Sequence, residues 1–181
     1  MRGMEQVLLN TKRLLLRPLS ELDCELIQSY CSEKELASTT LSIPHPYTLK
    51  DAEEWIVQLQ KDSGPSVVWG MVFEATLIGV ISLVIRQVYD SAELAFWVGR
   101  PYWRKGFCTE ASKEVIKYGF QKRCLNKIFA YHMTRNPASG KVIKKIGMQF
   151  EGILRQHVKK WGQYEDLASY SMLRSEYESS H

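Results

Sequence analysis

Two adjacent cations and a glycine form the part of the sequence best suited to bind a phosphate. Arg104, Lys105 and Gly106 follow an apolar alternating run at residues 94–98, a pattern typical of a strand. They precede residues 111–120, where apolar side chains recur at helical spacing. The first amides of such a helix have no intrahelical partner and carry partial positive charge, and a glycine lets a ligand approach the backbone. The turn at residues 104–109 is therefore a candidate diphosphate site.

The same turn also fits a simpler interpretation, in which Arg104 and Lys105 are solvated and bind nothing. Spacing alone does not decide between the two. A Walker loop is excluded because no Gly-Lys-Ser/Thr follows, and a dinucleotide-binding fingerprint is excluded because only one of its three glycines is present. A phosphate site here would be of another kind.

The cysteines and histidines do not indicate metal or disulfide chemistry. The sequence has no CxxC pair, no Cys/His metal spacing and no two histidines four positions apart. We therefore expect no metal, and free thiols as in a reducing compartment. The residues concerned are Cys24, Cys31, Cys108, Cys124, His45, His132, His157 and His181.

Length and composition predict one intracellular globular domain over residues 1–181. Hydrophobic residues make up 45% of the chain and charged residues 24%, values typical of a buried core with a solvated surface. The net charge of +4 suits an anionic ligand, but no concentrated basic stripe suggests nucleic acid. No apolar run approaches the ~20 residues needed to span a membrane, and residues 1–6 lack a signal-peptide core. We expect a cytoplasmic protein with no nucleic-acid or membrane partner.

Hydrophobic periodicity and capping residues predict both helices and strands. The predicted strands are residues 11–19, 67–74, 77–86, 90–98, Lys127–Met133, 149–159 and Gln163–Leu173. The predicted helices are residues 21–30, a short piece at 32–37, Leu49–Lys61, 109–122 and 137–146. The strand–helix–strand order at residues 94–133 favours a parallel crossover. If its two strands splay apart, they leave a cleft at the start of the helix.

Several ordered blocks of sequence resemble one protein family over nearly the whole chain. The central block is residues 102–111, YWRKGFCTEA, with residues 92–98, AELAFWV, before it and residues 136–139, NPAS, after it. Further blocks are residues 11–18, 46–56, 78–81, 145–148 and 152–155. Each block is weak alone, but their order and spacing together are similar to the GNAT acetyltransferase superfamily. The closer resemblance is to its ribosomal-protein-alanine N-acetyltransferase branch, the RimJ/RimL-like enzymes.

The resemblance implies a single-domain α/β (α+β) fold with a mixed, mostly antiparallel sheet of about seven strands, splayed central strands and about four flanking helices. It also implies that acetyl-CoA lies in the splay, with CoA as the product. The residues implied to bind it are Phe96, Trp97, Val98, Arg104, Lys105, Gly106, Phe107, Cys108, Thr109, Asn136 and Ser139. The family loop often runs Gln/Arg-x-x-Gly-x-Gly/Ala, whereas here Trp103 holds the first position and Cys108 the last. We expect the Cys108 amide to bind and its thiol to pack.

Ser139 and Glu93 are the candidate catalytic residues. Ser139 lies one helical turn after Asn136 and could protonate the leaving thiolate, or be a solvated helix serine. Many relatives have a tyrosine as the acid seven residues after the asparagine, where this chain has Ile143. Glu93 could take the proton of the acceptor amine through a water, or form an ion pair with a neighbouring strand. Asn136 fits both a helix N-cap and a hydrogen bond to the cofactor arm.

The resemblance, with these residues, implies an acetyl-CoA-dependent N-acetyltransferase that acts on the N-terminal amine of a protein of the ribosomal type, and we expect it to use no metal. The alternatives are a small-molecule amine acceptor, such as an antibiotic, polyamine or amino acid, and a CoA-binding regulator without catalysis. We expect the cleft rim, residues 38–47 and 159–164, to decide the acceptor. A monomer and a homodimer are both compatible with the sequence.

Overall fold

One mixed sheet of eight strands carries the other elements of the protein. The computed structural model describes residues 7–61 and 64–180. Its strands are β1 (Leu9–Asn10), β2 (Leu15–Arg17), β3 (Val67–Phe73), β4 (Thr76–Arg86), β5 (Ser91–Val98), β6 (Lys127–Met133), β7 (Gln149–Lys160) and β8 (Gln163–Leu173). They lie in the order β1-β2-β3-β4-β5-β6-β8-β7, and every neighbouring pair is antiparallel except β5 and β6.

Six α-helices flank the sheet within the described chain. They are α1 (Cys24–Cys31), α2 (Lys34–Thr39), α3 (Leu49–Lys61), α4 (Phe107–Gln121), α5 (Pro137–Lys145) and α6 (Arg174–Ser179). The crossover between the parallel strands β5 and β6 runs through α4, as the strand–helix–strand order of the sequence predicts.

The helices cover both faces of the sheet. Leu77 and Ile78 are consecutive on β4, so their side chains point to opposite faces. Ile78 packs in a cluster that contains the apolar side of α4 and Ile143 of α5, whereas Leu77 packs in a cluster formed by α1, α2 and α3. The side chains of β5 divide in the same way, because Leu94 joins the first cluster and Trp97 packs against the second. Each face of β5 is thus fixed by a different group of helices.

The two parallel strands pair only at their beginning. Ser91, Ala92 and Glu93 of β5 stand opposite the first three residues of β6, and no later pair between the two strands is present in this described region. β5 remains paired with β4 along its whole length, and β6 remains paired with β8 along its whole length. Because each strand follows its outer neighbour, residues 94–98 and 130–133 diverge. The predicted splay of the central strands is confirmed.

The structure corrects several predicted boundaries. The predicted first strand, residues 11–19, shrinks to β2, because residues 11–14 form a turn in which the Thr11 amide donates to the Leu14 carbonyl at 2.9 Å. This turn allows the short β1 to pair with β2, so the sheet has eight strands rather than about seven. The helices number six rather than about four, and α6 carries no strong periodic signal in the sequence. The helix predicted from residue 109 begins at Phe107.

Among the helices of residues 7–61 and 64–180, none combines the length and apolar character needed to cross a bilayer. The same residues contain no group of three or more His, Cys, Asp or Glu side chains placed to hold a metal ion. Residues 1–6 and His181, on which parts of the sequence argument rest, lie outside the described residues.

Candidate active site

The edge of β5 that faces the splay offers unpaired backbone groups. The Gly99 amide donates to the Ile78 carbonyl at 2.8 Å. The Trp97 carbonyl lies against Gly79 of β4, so closely that a Cβ on that glycine would collide with it. The backbone polar groups of residues 97 and 99 therefore point toward β4. Backbone polar groups alternate in direction along a strand, and those of Phe96 and Val98 therefore point the other way, into the gap before β6. Unpaired buried amides are costly, so this edge is prepared for a ligand with its own amides.

Trp103 makes a hydrogen bond to one of these backbone groups, the Val98 carbonyl. Its indole Nε1 donates to the Val98 carbonyl at 2.8 Å, which ties the loop after β5 back to the end of that strand. The Val98 amide remains available to a ligand, but its carbonyl is already satisfied. In the sequence, Trp103 stands out as a departure from the family loop. In the structure, its indole fixes the loop to the end of β5.

Helix α4 begins two residues earlier than the sequence predicts, directly after Gly106. Gly106 is the N-cap of α4 with φ 81°, and Arg104 before it also has a positive φ of 62°. The first helical bond runs from the Glu110 amide to the Gly106 carbonyl at 3.0 Å. The amides of residues 107, 108 and 109 come before that bond and have no carbonyl partner in the helix. The predicted turn of residues 104–109 is therefore half turn and half first helical turn, which concentrates free amides at one point.

Space and charge at this point both suit an anion. A Cβ added at Gly106 would meet only Arg13 Nη2, at 3.6 Å, so the surface above the glycine is open. Arg104 and Lys105 are exposed and form no ion pair within the described residues. An open groove of about 620 Å³ borders Arg104. Its other lining residues are Glu35, Ser38, Thr39, Arg100 and Trp103.

The thiol beside these amides is inert. Cys108 is partly buried against the main core, and burial raises the pKa of its thiol to about 12. A thiol with that pKa is protonated at neutral pH and is a poor nucleophile. Cys108 therefore contributes its amide to the helix start and its side chain to packing.

Asn136 and Ser139 meet at the start of α5. The Asn136 Oδ1 accepts from the Ser139 amide at 3.4 Å, and its Nδ2 donates to Ser139 Oγ at 3.0 Å. Because a backbone amide can only donate, this arrangement fixes the orientation of the Asn136 side chain. Ser139 Oγ then acts as acceptor toward Asn136 and keeps its own proton free to donate elsewhere. Ile143, at the position where many relatives have a tyrosine, is 1% exposed and belongs to the core.

Glu93 lies at the fork where the strands separate. It is the last residue of β5 paired with β6, opposite Phe129, and opposite Val84 on β4. Of the two alternatives for Glu93, the ion pair with a neighbouring strand does not form among the described residues, although Arg86 of β4 is near enough for its charge to act on the carboxyl. Burial raises the pKa of its carboxyl above the usual range, and the charge of Arg86 only partly opposes this. A partly buried carboxylate with a raised pKa is typical of a general base.

The structure places the two catalytic candidates on opposite faces of the sheet. Alternation along β5 puts Glu93 on the same face as Trp97, which packs against the cluster of α1 to α3. Ser139 lies in the first turn of α5, whose Ile143 packs in the core under α4, on the other face. The splay lies between the two faces. A thioester in the splay could therefore meet an acid from one side and a base from the other.

Two contacts join the two segments of the predicted rim, residues 38–47 and 159–164, and a third ties the first segment to Arg135. Arg135 Nη2 donates to the Ser38 carbonyl at 2.6 Å, and Lys160 Nζ donates to the Ile43 carbonyl at 2.6 Å. The rings of His45 and Trp161 lie 5.6 Å apart. Burial, together with the charge of Arg135, lowers the pKa of Lys160. The loop before α3 and the β7–β8 hairpin thus form one continuous rim.

Comparison with known families agrees with this geometry. Residues 13–149 match the model of the acetyltransferase (GNAT) domain. The chain belongs to the GNAT acetyltransferase family. The predicted family and fold class are confirmed, and the chain is an N-acetyltransferase.

Relatives within the GNAT family differ in how much is known of them. The uncharacterized N-acetyltransferase p20 of Bacillus licheniformis is 31% identical over 175 residues, which is 93% of this chain and 97% of that protein. The ribosomal protein uS5-alanine N-acetyltransferase of Escherichia coli is 28% identical over 51% of this chain and 49% of its own. The microcin C7 self-immunity acetyltransferase MccE, solved with acetyl-CoA and AMP, has the same fold, with a TM-score of 0.82, 17% identity and coverage of 90% of this chain and 93% of its own.

The burial of the thiols makes a prediction about alkylation. With the folded protein at neutral pH, iodoacetamide should modify the exposed Cys124 first and leave Cys24, Cys31 and Cys108 largely unmodified, as peptide mass spectrometry would show. Unfolding in denaturant should make all four react at similar rates. Fast labelling of Cys108 in the folded protein would contradict the raised pKa of its thiol and make Cys108 a candidate nucleophile.

Proposed function

We propose that this enzyme transfers the acetyl group of acetyl-CoA to the N-terminal amine of a protein, with a ribosomal protein as the first acceptor to test. The observation that carries the proposal is the splay of β5 and β6 beside a helix start with free amides. The E. coli relative that acts on a ribosomal protein alanine gives the acceptor class its support.

The residues of the site fit acetyl-CoA in charge and in hydrogen bonding. The amides of Phe107, Cys108 and Thr109, with Gly106 before them, would receive the diphosphate, and the exposed Arg104 and Lys105 would neutralise it. The edge of β5 would pair with the amides of the pantetheine arm through Phe96 and Val98, while the Trp97 backbone stays paired with β4. Asn136 keeps one Nδ2 hydrogen available to the arm beyond its bond to Ser139. When bound, acetyl-CoA supplies an activated acetyl group as a thioester.

The chain's own groups would handle the two protons of the reaction. An amine must be neutral to attack, and Glu93, with its raised pKa and no hydrogen bond to the described residues, would accept the proton of the acceptor through a water. Ser139 Oγ, with its proton free, would donate to the leaving sulfur. The positions of these residues on opposite faces separate the entry of the acceptor from the leaving thiolate.

The charge of the rim favours a monoamine over a polyamine. Residues 38–47 and 159–164 contain two lysines, Lys159 and Lys160, and no carboxylate. A polyamine carries several positive charges and needs carboxylates at the rim, whereas a peptide N-terminus carries one. The polar backbone of this rim also suits an extended peptide.

An acceptor screen tests the proposal. Release of CoA thiol would be followed with acetyl-CoA and N-terminal peptides of ribosomal proteins, polyamines, aminoglycosides and free amino acids. We expect turnover with at least one peptide and a product acetylated at its N-terminal nitrogen by mass spectrometry. Turnover confined to a small amine would replace the proposed acceptor, and CoA binding without turnover on any acceptor would favour a regulator.

Blocking the helix start should abolish donor binding. Gly106→Trp would fill the open surface above the loop and exclude the diphosphate, so CoA binding by calorimetry should be lost while circular dichroism stays unchanged. Gly106→Ala is the matched control, because it adds the same backbone strain at φ 81° with little bulk. Equal CoA affinity in Gly106→Trp and wild type would refute the assignment of the loop.

Removing the Ser139 hydroxyl should slow turnover more than it weakens binding. Ser139→Ala is expected to lower kcat by about a hundredfold or more, since general acid catalysis contributes at least that much, with the CoA Kd nearly unchanged. Ser139→Cys retains a proton donor and should recover part of the rate. An unaltered kcat in Ser139→Ala would return this residue to the role of a helix serine.

Glu93 should set the acidic limb of the pH profile. Its carboxylate acts only when ionised, so the wild-type rate should rise with pH through a pKa above the usual range of Glu. Glu93→Gln should lower kcat by about tenfold or more and remove that limb, leaving only the titration of the acceptor amine. A pH profile of the same shape in both proteins would exclude Glu93 as the base.

A further inference from the structure

Arg13 lies far along the chain from the helix start of α4 but contacts it directly. It belongs to the turn between β1 and β2, and its Nη2 donates to the Lys105 carbonyl at 3.1 Å across 92 positions of sequence. Its guanidinium also lies over the ring of Phe107, with 4.4 Å to the ring centroid. Both residues belong to the loop that would receive the diphosphate.

The same arginine holds Glu110, in the first turn of α4. Arg13 Nε donates to Glu110 Oε2 and the Arg13 amide to Oε1, both at 2.7 Å, while Thr11 Oγ1 donates to Oε1 at 2.6 Å. Burial raises the pKa of Glu110, but the hydrogen bonds from Thr11 and Arg13 outweigh it and lower the pKa below the usual range. The carboxylate is therefore ionised beside the anion site.

An ionised Glu110 without a partner would oppose a bound diphosphate. A carboxylate in the first turn uses the same positive end of the helix that attracts a phosphate, and two anions there repel each other. Arg13 cancels this charge and directs both oxygens toward the turn of residues 11–14. The amides of residues 107–109 are left to the ligand.

The bond to Lys105 acts on the backbone of the loop. A peptide unit is planar and trans, so its carbonyl and the following amide point in opposite directions. With the Lys105 carbonyl held by Arg13, the Gly106 amide points in the opposite direction, away from Arg13. The residues on both sides of Lys105 have positive φ, a conformation in which a peptide flip is easily accommodated at the glycine. A flip would present a carbonyl oxygen where the amide stood.

We propose that Arg13 is a positioning residue for the acetyl donor, which neutralises Glu110 and fixes the Lys105–Gly106 peptide so that the loop presents amides to the diphosphate. This inference rests on the proposed function, because it requires a diphosphate at the loop. Arg13 acts through Glu110 and the loop backbone.

Kinetics with two acetyl donors, acetyl-CoA and S-acetylpantetheine, distinguish this positioning role from a general loss of structure. Arg13→Ala should raise the KM for acetyl-CoA and the Kd for CoA by about tenfold, the effect of one lost charge-assisted interaction, with kcat within about twofold of wild type. S-acetylpantetheine lacks the diphosphate, so its kcat/KM should be the same in Arg13→Ala and wild type. Arg13→Ala combined with Glu110→Gln should recover part of the CoA affinity, because the uncompensated charge is gone.

Arg17 offers a matched control in the same segment. It forms an ion pair with the buried Asp23 at 2.8 Å and does not contact the loop. Arg17→Ala should lower the thermal stability at least as much as Arg13→Ala and leave the Kd for CoA unchanged. If Arg13→Ala fails to fold, Arg13→Lys, which keeps the charge but cannot donate to Glu110 and Lys105 together, should show a smaller rise in the Kd.

The outcomes distinguish the inference from the function on which it rests. If wild type binds CoA and both Arg13→Ala and Arg13→Lys bind it with the wild-type Kd, the proposed role of Arg13 is wrong and the proposed function still stands. Equal losses with acetyl-CoA and S-acetylpantetheine would also overturn it, as a structural effect. Wild type that does not bind CoA would overturn both.

Discussion

β5 and β6 share a sheet but satisfy most of their backbone groups with other strands. β5 is held by β4 and β6 by β8 over their full lengths, and the two meet only at residues 91–93 of β5. Past Glu93, the inner edges keep donors and acceptors that no strand can reach. A buried backbone group without a partner costs free energy, so this gap is stable only because a ligand or water can enter it. The donor site therefore follows from the way the sheet is paired.

The loop before α4 adds charge and direction to that gap. Its conformation is costly at Arg104, which has a positive φ without being a glycine, yet it brings to one place three amides without helical partners and two cations without an ion pair among the described residues. Contacts from distant parts of the chain keep it in shape. Trp103 ties its beginning to the end of β5, and Arg13 ties its middle to the turn between β1 and β2. The family model begins at residue 13, in that same turn.

The candidate acid and the candidate base lie on opposite faces of the sheet. The α4 face holds Asn136 and Ser139 in a local hydrogen-bonded pair, and the other face holds Glu93 in a partly buried position near the charge of Arg86. The two separate segments of the rim are joined by the bond from Lys160 to the Ile43 carbonyl. The predicted rim and the candidate donor site are thus built from different parts of the chain.

Sequence alone determined the local features of this protein. Period-two and helical spacing placed most strands and helices, and the cations with Gly106 marked a candidate anion site, because these signals depend on neighbours within a few residues. Asn136 and Ser139 were also found together, since they lie one helical turn apart. Tertiary structure alone decided the extent of the splay, the missing ion pair of Glu93, the start of α4 at Phe107, and the contacts of Arg13 with a loop 92 positions away. Those features depend on which strands pair and which distant side chains meet, and such long-range geometry leaves no periodic trace in a single sequence.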